Sequence, residues 1–151
     1  MPTRRVIGNR WRVASRDDTD PAYPGTPMKQ ILAIAAGGAV GSVLRFALSN
    51  WVHSVGGRAF PYGTLVVNVL GCLLMGFLFV FLMERFSSDH VLRAGLLVGV
   101  LGGFTTFSSF SIETFRLLEE GLWMSAGMNA MGSLLLCVGA TWAGVVIARA
   151  L

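Results

Sequence analysis

The stretch "GGFTTFSSF", Gly102 to Phe110, decides how the chain is read. It lies inside a long apolar run, yet it carries two glycines, two threonines and two serines, with a phenylalanine at every third place. Glycines loosen a helix. Hydroxyls in apolar surroundings need partners. A segment that does both is a surface loop or a site, and what flanks it excludes the loop.

Residues 94–112 contain no Asp, Glu, Lys or Arg, and neither do 62–83 or 121–148. A membrane-spanning helix needs ~20 such residues. A fourth apolar segment begins at Ile31, meets Arg45, and resumes as "FALSNWV" (46–52). It also reads as a span, because an arginine can snorkel or face a polar interior. Lys29 before a stretch containing "AIAAGG" also allows a signal peptide, but the span is preferred against the expected cleavage pattern. Only 13% of the 151 residues are charged, about half the usual share of a soluble domain. The expectation is an all-α membrane protein of four transmembrane helices: Lys29–Trp51, Tyr62–Phe86, Val91–Leu118 and Leu122–Ala148. The third is broken near Gly102–Phe107.

Two regions follow from composition. Residues 1–27 are charged, Pro-bearing and without apolar period, and read as a disordered extension. Residues 28–151 form the four-helix membrane domain. "MKQILAIAAGG" (28–38) looks like an ordinary start, so Met28 is expected to be the functional first residue. The net charge of +4 comes largely from five arginines in the first sixteen residues. Positive-inside bias explains it, and no nucleic-acid partner is inferred. Without the tail, Lys29, Arg85, Arg93 and Arg149 face one side, against Arg58, Arg116 and the ambiguous Arg45. So weak a bias permits insertion in both orientations, and the tail works against it.

Helix faces add detail. Gly37, Gly41 and Arg45 share one face, and Gly95, Gly99 and Gly103 repeat every fourth residue, the mark of close helix packing in lipid. Asn68, alone in a charge-free span, must find a partner. It is either an interhelical hydrogen bond or an amide lining an anion pathway, with Gly71, Cys72, Met75 and Gly76 on its face. On a regular helix Thr106, Ser109, Phe110 and Glu113 share a stripe. The glycine pair before it favours a break that frees carbonyls able to hold a small cation. A kinked helix with hydroxyls bonded to the preceding turn is the other open reading. Asn129, Ser133, Cys137 and Ala140 share a face that reads as small-residue packing or a polar track. Cys72 and Cys137 read as free packing thiols. No hydrolase, metalloprotease or phosphate-loop motif is present, so an enzyme is not expected.

"GGAVGSVLRF" (37–46), "GTLVVNVLG" (63–71) and "GGFTTFSSFSIET" (102–114) together resemble the signature blocks of the Fluc/CrcB family of fluoride channels. The resemblance implies an antiparallel, dual-topology homodimer in the bacterial inner membrane that lets fluoride leave passively and relieves its toxicity. Its partners would be the fluoride ion, a second copy and the bilayer. It implies that the Gly102 and Thr105 carbonyls hold a structural sodium ion. Asn68, Phe107 and Phe110 would line the pore, Thr106, Ser109 and Ser133 would supply hydroxyls, and Arg45 and Glu113 would flank the entrances. The chain departs from the pattern at "FSSF", where "FSTF" is commoner, and at Cys72, Asn129 and Cys137. The competing reading is a small four-span, dual-topology cation or drug antiporter. That chemistry wants an acid deep in the first span, where this chain has Arg45. A non-transporting structural subunit would explain the glycines but not the polar stripe.

Overall fold

The computed structural model describes residues 27–57, 59–86 and 88–151. The arginine-rich extension and Arg58 therefore lie outside the described residues. Four helical spans are long and apolar enough to cross a membrane. Helix α1 is Pro27–Gly56 and α2 is Tyr62–Arg85. The third span begins with α3, residues 90–104, which is one α-helical turn (His90–Arg93), a wider-wound π-helical stretch (Ala94–Leu101) and a final turn (Gly102–Phe104). It resumes as α4, Phe107–Glu119, and α5 is Trp123–Arg149. The described residues contain no strand.

Local chemistry sets the ends. Pro61, which has no N–H to leave unpaired, precedes α2. The Asp89 carboxylate caps α3 by accepting the Leu92 N–H at 2.8 Å. Between α4 and α5 the chain turns through Gly121 at φ 76°, a left-handed conformation suited to glycine.

Two helix pairs carry the architecture, α1 with α3 and α2 with α5. A Cβ on Gly37 would strike the Gly95 carbonyl oxygen, and one on Gly41 would strike that of Val100. A Cβ on Gly99 would come within 2.9 Å of the Ile34 oxygen, and one on Gly103 within 2.7 Å of the Gly38 oxygen. Both glycine rows read from the sequence thus form one seam. Contacts advance together along the two helices, so α1 and α3 run the same way. Positions four apart drift around a regular α-helix because its turn is ~3.6 residues. The wider turn, in which the Gly102 N–H reaches the Leu97 carbonyl, reduces that drift. It keeps every fourth residue against α1. The second seam has the same logic, with Gly76 against the Thr141 carbonyl and Gly144 against that of Leu73.

The break stands inside the predicted window but not at its glycines. Gly102 and Gly103 remain helical. The chain leaves the helix at Thr105 (φ −80°, ψ 157°) and Thr106 (φ −152°, ψ 119°). Gly103 serves the seam instead, and β-branched threonine suits the extended backbone that follows.

Candidate functional site

The site grows from the two threonines at the break. In a continuous helix the Thr106 N–H would bond to the Gly102 carbonyl. Here it donates to Asn68 Oδ1 at 2.8 Å, and Asn68 Nδ2 donates to the Thr106 carbonyl at 3.0 Å. The paired bonds fix which way the amide faces. Likewise the Ser109 N–H, which would have closed onto the Thr105 carbonyl, bonds to Thr106 Oγ1 at 3.2 Å. Thr106 is thereby the N-cap of α4. Two side chains have replaced two rungs of the helical ladder. The carbonyls relieved of their rungs belong to Gly102 and Thr105, the two residues marked for a cation. They sit at the C-terminal end of α3, the pole of the helix dipole that favours positive charge, while α4 begins with the pole that favours negative charge.

The reading of hydroxyls bonded back along the helix holds for three of them. Thr105, Ser111 and Thr114 bond back to the preceding turn, at 3.0, 2.9 and 2.7 Å. Thr106 does not, because it caps.

The predicted site residues other than Gly102, which borders neither, divide between two cavities. The first, of about 510 Å³, is bordered by Asn68, Thr105, Thr106, Phe107, Phe110 and Ser133. The Phe107 and Phe110 rings stand 5.3 Å apart at 43°. Phe107 is 79% exposed in the single chain. Ser133 is only 7% exposed, and no hydrogen bond reaches its hydroxyl among the described residues. Gly71, Cys72 and Met75 border this cavity too. Gly76, expected with them, is used in the seam with α5.

The second cavity, of about 280 Å³, brings together Arg45, Thr64, Thr106, Ser109 and Glu113. Thr64 Oγ1 donates to Glu113 Oε1 at 2.7 Å, while Glu113 Oε2 is buried without a hydrogen-bond partner among the described residues. Glu113 also borders a third, polar cavity with His53, Arg116 and Glu120.

The single stripe expected on α4 is therefore two. Ser109 and Glu113 face Arg45, while Phe110 turns with Phe107 toward α5. Thr106 lies outside the helix and borders both cavities, so a regular helical wheel drawn through it misplaced Phe110. One polar partner, Thr64, had escaped the sequence reading, and Asn129, read as packing or polar track, takes the polar role. Thr64 lies one turn before Asn68 on α2, a spacing that could have flagged it. Asn129, 2% exposed, donates to Thr114 Oγ1 at 2.8 Å, which ties α5 to α4 and makes it a clamp rather than a packing residue.

Known proteins are similar to this chain over most of its length. A family model described as CrcB-like protein, Camphor Resistance (CrcB), matches residues 32–145. The chain belongs to this CrcB family. A protein of Geobacter sulfurreducens named fluoride-specific ion channel FluC is 51% identical over 124 residues, covering 82% of this chain and all of the relative. Proteins of the same name from Geobacter metallireducens and Coxiella burnetii are 48% and 49% identical over 122 residues, each covering 98% of the relative. The matched CrcB region contains every predicted site residue.

Proposed function

We propose that this CrcB-family chain is a fluoride-specific ion channel of the bacterial plasma membrane. The observation that carries the reading is the joint at Thr106. There the anion-favouring start of α4 opens on a cavity that offers ring edges and neutral donors. Fluoride holds its water tightly, so a pore must replace that water with many donors. Asn68 keeps an N–H beyond the one given to Thr106, and Ser133 keeps its hydroxyl. The edges of Phe107 and Phe110 are electropositive and attract an anion without trapping it as a full positive charge would. Several weak sites let the ion leave again.

The antiporter reading is not favoured, because α1 contains no Asp or Glu at all and its one deep charge is Arg45. No energy source is needed for the channel. Hydrogen fluoride enters neutral, dissociates inside and leaves the anion trapped, and a passive path lets it out.

The working unit is a homodimer of antiparallel copies inserted in both orientations. Phe107, a wall of the proposed pore, is largely exposed in one chain, and Gly102 is exposed as well. A second copy would close both. Gly102 and Thr105 would hold the sodium ion through their carbonyls, and two carbonyls from one chain invite two more from its mate. Bound there, sodium supplies a fixed positive charge and a tie between subunits.

The test is fluoride-electrode efflux from vesicles containing the full chain, with chloride as control. Fluoride release without ATP, exceeding chloride release, is expected. Vesicles that hold their fluoride while containing well-folded protein overturn the reading.

A further inference from the structure

Cys72 on α2 and Cys137 on α5 are two thiols that the channel reading leaves without a task. Both are free thiols and half-buried. Their side chains lie close enough to interact with each other. Each stands one turn from a tight contact of the second seam, Cys72 before Gly76 and Cys137 before Thr141. Each also stands one turn beyond a polar residue of the first cavity, Cys72 after Asn68 and Cys137 after Ser133. Both thiols border that cavity.

We propose that Cys72 and Cys137 form a two-sulfur binding site for a soft divalent cation that favours linear two-coordination, of the mercury(II) type, and that filling it closes the cavity to ions. Sulfur donors select soft metals. No group of three or more His, Cys, Asp or Glu gathers among the described residues. The four-ligand shell that zinc prefers is therefore missing, and two-coordination is what the pair offers. Charge points the same way. Two S–H bonds break, two protons leave to water, and two sulfur–metal bonds form with no change of oxidation state. Two thiolates and one divalent cation make a neutral complex. Neutrality matters beside Gly71, Met75, Leu134 and Val138, where a net charge would be costly. A monovalent soft cation would leave one negative charge in the same walls.

The helix seam holds the pair in place. Backbone contacts at Gly76 and Gly144 set the spacing of α2 and α5, so the site is formed before the metal arrives. The binding rests on the thiols alone. Only the closing of the cavity rests on the channel reading.

The experiment titrates mercury(II) into the full chain in detergent, reading thiolate-to-metal absorption and proton release, and repeats the titration on vesicles while fluoride efflux is recorded. One metal per chain, two protons released and arrested efflux are expected, with reversal by a small dithiol. Cys72→Ser or Cys137→Ser should each weaken binding on the order of 100-fold, because each removes one arm of a chelate. Each variant's efflux is compared with its own metal-free rate, and the double serine variant should keep that rate when metal is added. Single variants that bind as tightly as the parent overturn the site, as does zinc binding with equal strength. Saturated binding with undiminished efflux overturns the block and leaves the thiol site standing. If metal-free vesicles show no efflux at all, the channel reading falls, while the detergent titration still decides the thiol site.

Discussion

The seam between α1 and α3 and the joint between α3 and α4 lie within a few residues of each other and are built in opposite ways. In the seam, backbone meets backbone, Gly41 against Val100 and Gly103 against Gly38, with no room for a Cβ. At the joint, the backbone is pulled off its ladder and its groups are met by side chains, Asn68 and the Thr106 hydroxyl. The seam derives its strength from contact area and tolerates no added atom. The joint derives its shape from a few directed bonds and tolerates change in size more readily than loss of a donor. A membrane protein needs both, since apolar contact alone gives little preference between helix and lipid and an unpaired polar group in lipid is costly.

The sharpest way to break this contrast is Gly41→Leu. Overpacking costs ~1–3 kcal/mol in a core that can give way. Here the obstacle is the Val100 carbonyl and the Phe104 amide, so folded protein should be lost altogether, as read by size-exclusion chromatography in detergent. A normal monodisperse peak would mean that the seam is looser than drawn. Asn68→Leu comes next. It strips Thr106 of both partners at ~1–3 kcal/mol for each unsatisfied group, and fluoride efflux should drop by more than tenfold while helical content by circular dichroism persists.

Gly102→Trp separates the single chain from the assembly. A Cβ there meets nothing nearer than the Leu97 carbonyl at 3.9 Å. The subunit should therefore stay folded while crosslinking and light scattering report loss of the proposed dimer and, with it, of flux. A dimer that survives this change denies Gly102 a place between subunits. Phe107→Ile keeps bulk but removes the ring edge. Lower flux with an intact dimer is expected, and unchanged flux in liposomes counts against the cavity as the ion path. The smallest effect belongs to Asn129→Leu. Thr114 keeps its own bond to the Phe110 carbonyl, so only one interhelical bond is lost, worth ~0.6 kcal/mol in a membrane. A slight fall in melting temperature with flux retained is expected.

The spans and the seam could be read from the sequence because their signals are local. Charge-free runs set the helices, and glycines at every fourth place mark a face whatever it packs against. The joint was only half visible. "GGFTT" announced a break but could not say which residues would leave the helix, because that depended on Asn68, 38 positions away. Once Thr106 became a cap rather than a helical residue, Phe110 turned toward a different cavity from Ser109. The bond between Thr64 and Glu113, 49 positions apart, was hidden for the same reason. Sequence periodicity describes one helix at a time, and these contacts exist only between helices.

Thr106 borders the cavity of the aromatic rings and also the cavity of Arg45 and Glu113. It is a party wall. Any nudge to its hydroxyl or to the amide behind it is felt in both rooms at once, so the two halves of the site cannot drift apart independently over generations. A substitution on one side will tend to summon a compensating one on the other.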